Sequence, residues 1–182
     1  MKKDMVKTIT VPEGIDIKIN KREITIKKGE EELTLDSRIE DLKVVKESNQ
    51  ILIERKDANK SDKKRINSLV SHIEGYLKGL EKNYEYKLQI CSIHFPMTAK
   101  IEKEKLVIKN FFGERKDRIL ALDPKVNVKI DNDIITVTSP SKASAGQQAA
   151  TIERLTRVTK KDRRVFQDGI WIIKKEKGRH KK

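Results

Sequence analysis

The chain has 182 residues, which is enough for one large domain or two small ones. Hydrophobic residues make up 36% of it and charged residues 38%, which excludes a large apolar core. The net charge of +14 and a pI near 9.7 favour a polyanionic partner, which is a nucleic acid or, less often, an anionic membrane surface. A charge-rich habitat would raise both signs of charge together, whereas Lys and Arg outnumber Asp and Glu by 42 to 28.

The first half predicts several short strands followed by one helix. Polar and apolar residues alternate, as they do in half-buried strands, over 15–20, 23–28, 31–36, 42–47 and 50–56. After a polar break, apolar residues recur at spacings of three and four from Ile66 to Leu80. This spacing predicts an amphipathic helix over 61–82, with Ser61 or Asp62 as its N-cap.

The second half repeats this order with a shift of 82 positions. Residues 99–111 correspond to residues 17–29, and Ile101, Leu106 and Ile108 fall at the positions of Ile19, Ile24 and Ile26. A second pair of strands is predicted over 126–138, a second helix over 144–156, and a linking strand over 83–95.

The repeat predicts an α+β fold of two tandem similar domains, each a mainly antiparallel sheet packed against one helix. We expect the first domain at 1–82 and the second at 83–182. The first holds a net charge of +3, and the second holds 23 basic against 12 acidic residues, a net charge of +11. The second domain is therefore the expected polyanion-binding domain.

Residues typical of catalysis and metal binding are scattered. His72, His94, His180 and Cys91 have no metal-ligand spacing, and the glycines form no phosphate-binding loop. We expect no enzymatic activity, no metal, no cofactor and no small-molecule substrate. The single cysteine suits a reducing compartment, and the sequence contains neither a signal peptide nor an apolar run of about 18 residues. We therefore expect a cytoplasmic protein without a membrane partner.

Basic residues of the second domain are the main candidate contacts, because Lys and Arg neutralise phosphates and release counterions. Ser144 joins them because the backbone N–H groups of Ala145 to Gln147 would form an anion site beside it at the start of the second helix. The candidate residues are Lys109, Arg115, Lys116, Arg118, Lys142, Ser144, Gln147, Gln148, Arg154, Arg157, Lys160, Lys161, Arg163, Arg164, Lys174, Lys175, Arg179, Lys181 and Lys182.

The segment after the second helix predicts a further short helix. Thr159 and Asp162 are spaced as in a capping box. Val165 and Phe166 would pack inward and hold the basic residues between them outward, and a final strand would follow over 170–175. For any single basic residue, a solvated surface position remains the alternative.

Six segments carry a family resemblance: VPEGI (11–15), KGLEKNYEYKL (78–88), IHFPMT (93–98), IKNFFGE (108–114), AGQQAATIERLTRV (145–158) and DRRVFQDGIWI (162–172). In this order they resemble the large-subunit ribosomal protein family that is numbered six in bacteria and nine in the eukaryotic cytoplasm, and the archaeal type most. Residues of the second helix and of the archaeal-type ending match the family pattern at Gly146, Gln147, Ala149, Ala150, Ile152, Glu153, Arg157, Arg164, Phe166, Asp168 and Gly169.

The resemblance implies a ribosome-bound protein of two similar domains that supports translation. It implies binding to large-subunit ribosomal RNA near the sarcin–ricin loop and the base of the factor-binding stalk, mostly through the second domain, with stalk-base ribosomal proteins as neighbours. The chain departs from the family at Gly29, where a Gly-x-x-Gly loop is usual and three glutamates follow instead. A free-standing RNA-binding regulator or RNA chaperone that uses the same basic half remains the alternative.

Overall fold

The structure is a computed structural model, and it describes residues 3–12, 14–20, 23–29, 31–36, 42–47 and 50–175. The chain divides into two compact units, Met1–Glu81 and Lys82–Lys182. Each unit contains antiparallel sheets, one helix and a hydrophobic core of its own. The predicted α+β fold is therefore confirmed.

The first unit forms two antiparallel three-stranded sheets, in the orders β1-β6-β5 and β2-β3-β4. Its elements are β1 (Lys3–Thr10), β2 (Asp16–Asn20), β3 (Glu23–Lys28), β4 (Glu31–Asp36), β5 (Lys43–Glu47), β6 (Gln50–Ala58) and α1 (Lys60–Glu81). The alternating residues Ile24 and Ile26 on β3 are buried with Ile51 and Ile53 on β6. The apolar face of α1 completes this core.

The N-terminus of α1 differs from its prediction. The Asn59 side-chain oxygen Oδ1 accepts a hydrogen bond of 2.8 Å from the N–H of Asp62, and Asp62 Oδ2 accepts one of 3.1 Å from the N–H of Asn59. This reciprocal pair has the arrangement of a capping box. The predicted N-cap at Ser61 or Asp62 is therefore wrong, because Asn59 is the cap and Asp62 is its partner inside the first turn.

The second unit forms a four-stranded sheet, β11-β12-β7-β13, and a three-stranded sheet, β10-β9-β8. Its elements are β7 (Tyr84–Cys91), β8 (Thr98–Glu102), β9 (Lys105–Lys109), β10 (Arg118–Ala121), β11 (Asn127–Asp131), β12 (Ile134–Ser139), α2 (Lys142–Leu155) and β13 (Gly169–Lys174). Helix α2 buries Ala145, Ala149 and Ile152 in the core of this unit. Neither described helix is both long and apolar enough to cross a lipid bilayer.

The sheet topology repeats along the chain. The order β11-β12-β7 in the second unit corresponds to β5-β6-β1 in the first, and β10-β9-β8 corresponds to β4-β3-β2. Strands β1 and β10 were not predicted, and each completes one copy of this arrangement. Strand β13 has no described counterpart in the first unit, and it pairs with the edge of β7 that the repeat leaves open.

No helix follows α2 in the described part of the chain, so the short helix predicted from Thr159 is wrong. The chain turns at Lys160, whose φ is +60°, and makes a single turn in which the N–H groups of Val165 and Phe166 donate to the carbonyl oxygen of Asp162. Val165 is 59% exposed and does not pack inward, whereas Phe166 is half-buried. The side chain of Asp162 accepts from the N–H of Arg164 at 2.9 Å, and such local bonds favour turns over helices.

Candidate nucleic-acid interface

Two segments of the second unit hold most of the exposed basic side chains of the predicted set. The Phe111 loop, residues 110–117, joins β9 to β10 and exposes Arg115 and Lys116. The basic turn segment, residues 157–168, joins α2 to β13. Its exposed basic residues are Arg157, Lys160, Lys161, Arg163 and Arg164.

Arg118 fixes the Phe111 loop to the end of α2. Its Nη1 donates a hydrogen bond of 2.6 Å to the carbonyl oxygen of Leu155, and its Nε and Nη2 donate to the two carboxylate oxygens of Glu114 at 2.9 and 2.6 Å. Its guanidinium carbon lies 4.1 Å from the centre of the Phe111 ring. The hydrogen bond from Arg118 lowers the pKa of Glu114. Arg118 was predicted to contact the polyanion, but these interactions show that its side chain holds the Phe111 loop against the end of α2.

Asp168 anchors the other end of the basic turn segment. Asp168 is only 3% exposed, and its side chain accepts hydrogen bonds from the N–H groups of Ile93 and His94 at 2.7 and 2.9 Å. Its second oxygen lies 2.6 Å from Nδ1 of His94. Burial raises the pKa of Asp168, but the hydrogen bonds from His94 and Ile93 outweigh burial, so the net shift is downward. No pattern in the sequence pairs His94 with Asp168, so this contact was not predicted.

Aromatic rings join the Phe111 loop to the basic turn segment. The ring centre of Phe166 lies 5.0 Å from that of His94 and 6.0 Å from that of Phe112. The ammonium group of Lys161 lies 4.5 Å from the centre of the Phe166 ring and 5.2 Å from that of Phe112. The two basic segments are therefore neighbours, and Lys161 lies where they meet.

The two adjacent arginines of the basic turn segment have different contacts. Arg164 Nη2 lies 2.8 Å from Asp162 Oδ2, and the hydrogen bond between their side chains lowers the pKa of Asp162. Arg163 places its guanidinium carbon 5.2 Å from the ring centre of Trp171. The indole Nε1 of Trp171 donates to the carbonyl oxygen of Gln167 at 2.9 Å, which fixes the ring.

The start of α2 differs from the predicted anion site. Ser141 is the N-cap, and its side-chain oxygen accepts from the N–H of Ser144 at 3.3 Å. The N–H of Ala145 donates to the carbonyl oxygen of Ser141 at 3.0 Å, so the predicted group of free N–H donors after Ser144 is wrong. The helix begins two residues before Ser144, which places that residue inside the first turn.

The polar residues of α2 divide between the surface and the interior. Gln147 is exposed, whereas Gln148 is 7% exposed and its Oε1 accepts from the N–H of Asp123 at 3.4 Å. A surface ligand does not reach a side chain buried in this way, so Gln148 is excluded from the interface. Lys142 is half-buried, with its ammonium group 5.9 Å from the centre of the Tyr84 ring.

The other predicted contacts lie at several places on the second unit. Lys174 Nζ lies 2.7 Å from Glu85 Oε2 and lowers the pKa of Glu85. Lys109 Nζ lies 3.8 Å from Asp117 Oδ2. Arg154 and Lys175 are exposed. Arg179, Lys181 and Lys182 lie outside the described residues.

Within the residues that the structure describes, no three His, Cys, Asp or Glu side chains are grouped as the ligands of a metal ion would be. His94 and Asp168 form a pair of ionisable side chains, but the carboxylate is buried and holds backbone N–H groups. The Phe111 loop and the basic turn segment present to solvent a set of cations held by packed aromatic rings and by turns.

Comparisons with known proteins identify the family to which the chain belongs. Residues 95–169 match the family described as ribosomal protein L6. The large ribosomal subunit protein uL6 of Methanothrix thermoacetophila is 32% identical to this chain over 96% of the chain and 99% of that protein. The chain belongs to the ribosomal protein L6 family. The sequence-based recognition of this family is thus confirmed.

Other relatives in the L6 family give similar values. The uL6 protein of Methanobrevibacter smithii is 34% identical over 92% of this chain and 94% of that protein. The uL6 protein of Sulfurisphaera tokodaii is 36% identical over 92% of this chain and 91% of that protein. These relatives are archaeal, as the archaeal-type resemblance implied. The segment matched to the L6 family includes the Phe111 loop, α2 and the basic turn segment, and it ends at Gly169.

Proposed function

We propose that this protein is a structural constituent of the large ribosomal subunit that binds large-subunit ribosomal RNA through the basic surface of its second unit. The observation that carries the proposal is the contact of Lys161 with Phe112 and Phe166, which joins two exposed basic segments inside the part matched to the L6 family. Its relatives are named as proteins of the large ribosomal subunit. It would act as a non-catalytic, ribosome-bound protein of the cytoplasm.

The physical basis of the proposed binding is charge held in place before the RNA arrives. Each Lys or Arg that neutralises a phosphate releases a condensed counterion, which gives strong and salt-sensitive affinity. The bonds of Asp168 and the rings around Lys161 restrict the backbone that carries these cations. Restriction before binding lowers the entropy lost on association.

The proposed location of the protein on the large subunit follows from the family resemblance. The RNA contact would lie near the sarcin–ricin loop and the base of the factor-binding stalk, and neighbouring ribosomal proteins of the stalk base would be its protein partners. The contacting residues are proposed to be the exposed members of the predicted set, led by Arg115, Lys116, Lys160 and Lys161.

Binding of the purified chain to fragments of large-subunit RNA over a range of salt concentrations tests the proposal. We expect the logarithm of the association constant to fall linearly with the logarithm of salt concentration between about 50 and 200 mM. Affinity that does not change with salt would contradict the electrostatic basis.

Sedimentation of cell extracts separates the proposed function from that of a free-standing regulator. A constituent of the subunit should remain with large subunits through a moderate salt wash, at about one copy per subunit. Substoichiometric protein that is released by the wash would support the regulator instead. Chemical crosslinking to RNA within purified subunits tests the location near the sarcin–ricin loop separately.

A further inference from the structure

A groove of about 610 Å³ lies in the second unit between β7 and the basic turn segment. Its lining includes Gln89 and Cys91 from β7, Arg163 and Gln167 from the basic turn segment, and Trp171 from β13. The volume falls in the range of sites that hold small organic molecules.

One part of the groove is suited to a flat aromatic ligand. The guanidinium carbon of Arg163 lies 5.2 Å from the ring centre of Trp171. Aromatic rings and guanidinium planes are the two side-chain surfaces on which unpaired bases stack. The hydrogen bond of 2.9 Å from Trp171 Nε1 to the carbonyl oxygen of Gln167 holds the indole in place without a ligand.

The remaining lining is suited to the polar parts of a nucleotide. Gln89 and Gln167 are exposed side-chain amides, which both donate and accept hydrogen bonds as base edges do. Arg164 also lines the groove, and its side chain is 90% exposed while its bonds to Asp162 keep it close to the turn. Guanidinium groups in such positions bind phosphate oxygens.

We infer that this groove receives one unpaired nucleotide of the RNA, with its base stacked on the guanidinium of Arg163 that lies over Trp171 and its phosphate at Arg164. The inference rests on the proposed function, because it assumes that the bound polyanion is RNA. A base inside a continuous helix is stacked and paired, so the ligand must come from a bulge, a loop or an end. The protein would thus distinguish RNA with an extruded base from a plain duplex.

The chain carries two natural reporters of this groove. Trp171 is its only tryptophan and Cys91 its only cysteine, and both line the groove. A base stacked on the guanidinium that lies over the indole should quench the fluorescence of Trp171, and a filled groove should slow alkylation of Cys91. Because burial raises the pKa of the Cys91 thiol, alkylation is followed at mildly alkaline pH.

The experiment compares two RNA hairpins with the same stem at about 50 mM salt, where backbone contacts bind any RNA. One hairpin is fully paired in its stem and closed by a short stable loop, and the other carries one bulged adenosine. Binding of each is measured by the anisotropy of a dye at the RNA end, using the full chain. We expect both to bind, the bulged hairpin on the order of tenfold more tightly. The bulged hairpin should also quench the fluorescence of Trp171 and slow the alkylation of Cys91 more strongly than the fully paired hairpin does.

Two variants that each remove one positive charge from an exposed residue sharpen the test. Arg163→Ala removes a wall of the groove, and we expect it to reduce the preference for the bulged hairpin severalfold. Arg115→Ala removes a charge from the Phe111 loop, and we expect it to weaken both hairpins equally and preserve the preference. Circular dichroism spectra and thermal melts show that both variants are folded.

Equal binding of the two hairpins, with Trp171 and Cys91 unchanged, would overturn the inference and leave the proposed function intact. The same holds if Arg163→Ala and Arg115→Ala have the same effect on the preference. Failure of both hairpins to bind would overturn the proposed function itself. The two failures are therefore distinguishable.

Discussion

The carboxylate of Asp168 lies 2.6 Å from the imidazole Nδ1 of His94, 74 positions away in the sequence. Since an ionised carboxylate only accepts hydrogen bonds, Nδ1 carries the proton in this contact. The other carboxylate oxygen accepts from two successive N–H groups, those of Ile93 and His94. One buried side chain thereby joins the chain after β7 to the start of β13.

Replacement of Asp168 by Asn should destabilise the second unit. The Asn amide retains one oxygen for the N–H groups of Ile93 and His94, but it replaces the charge-assisted hydrogen bond to the His94 ring by a weaker neutral one. We expect the free energy of unfolding to fall by about 1–3 kcal/mol. Urea denaturation followed by Trp171 fluorescence measures this, because the only tryptophan of the chain lies in the second unit.

Asp117→Asn is the matched control for this substitution. The side chain of Asp117 is 39% exposed, and its carboxylate lies 3.8 Å from Lys109 Nζ. Surface ion pairs of this kind contribute little, so we expect a change below about 0.5 kcal/mol. Equal losses of stability in the two variants would contradict the role given to Asp168.

The lowered pKa of Asp168 predicts a dependence of stability on acid pH. A carboxyl group whose pKa is lower in the folded state stabilises the fold above its unfolded pKa of about 3.9 and loses that contribution as pH falls through the folded value. The difference in unfolding free energy between the native chain and Asp168→Asn should therefore be present at about pH 5 and shrink in more acidic solution. A difference that does not change with acidification would be inconsistent with an ionised, hydrogen-bonded Asp168.

Arg118 should contribute to the stability of the fold, whereas Arg115 should contribute to RNA binding. Arg118→Ala removes the bond to the Leu155 carbonyl oxygen and both bonds to Glu114, so we expect unfolding free energy to fall by about 1–3 kcal/mol. Arg115→Ala should leave stability within about 0.5 kcal/mol and lower RNA affinity with a shallower salt dependence. Thermal melting and RNA titration of both variants test this division. An unchanged melting temperature in Arg118→Ala would contradict the stabilising role given to Arg118.

The hydroxyl of Thr156 should decide how well β13 is attached. Thr156 is 1% exposed, and its Oγ1 accepts a hydrogen bond of 2.8 Å from the N–H of Ile170. Thr156→Val keeps the shape of the side chain but leaves a buried N–H without a partner, which costs about 1–3 kcal/mol. Thr156→Ser retains the hydroxyl and should lose less. Amide hydrogen exchange at Ile170 should quicken in the Val variant relative to the Ser variant, and equal exchange would contradict the assignment.

Neutralisation of the adjacent arginines should weaken RNA binding through charge. The double variant Arg163→Ala with Arg164→Ala should lower the magnitude of the salt-dependence slope by about 1, because Arg164 is assigned to a phosphate and Arg163 to a stacked base. The control is Lys63→Ala with Lys64→Ala, which removes two exposed charges from α1 of the first unit. An equal effect of the two double variants on the slope would mean that RNA binding is not confined to the second unit.

Most elements of the fold could be predicted from local patterns. The strands at 23–28 and 134–139 and both helices have apolar residues at the spacing of their buried faces, so the sequence contains the signal. Strand β1 lacks this signal because its residues are mostly exposed, and its pairing with β6 determines its conformation. The segment after Thr159 contains a capping pattern, but the side-chain bonds of Asp162 stabilise a turn there.

The surface exposure of the candidate residues could be predicted only in part. Exposed residues such as Arg115 and Lys161 were identified from charge alone, whereas Gln148 is buried and Arg118 is bonded internally. Nothing in the sequence near Asp168 indicates that it accepts bonds from His94. Such contacts depend on which distant segments the sheet brings together.

The internal duplication, most strand and helix types, the excess of basic charge in the second half and the family can all be recognised in the amino-acid sequence. These properties depend on residue spacing and composition, which are local or additive along the chain. Which cations are bonded internally and which face solvent depends instead on the tertiary structure. It also decided that Asp168 meets His94 and that Lys161 lies over Phe112 and Phe166. Hydrogen bonds and ring contacts act over a few ångströms, so they form only between residues that the folded chain has brought together.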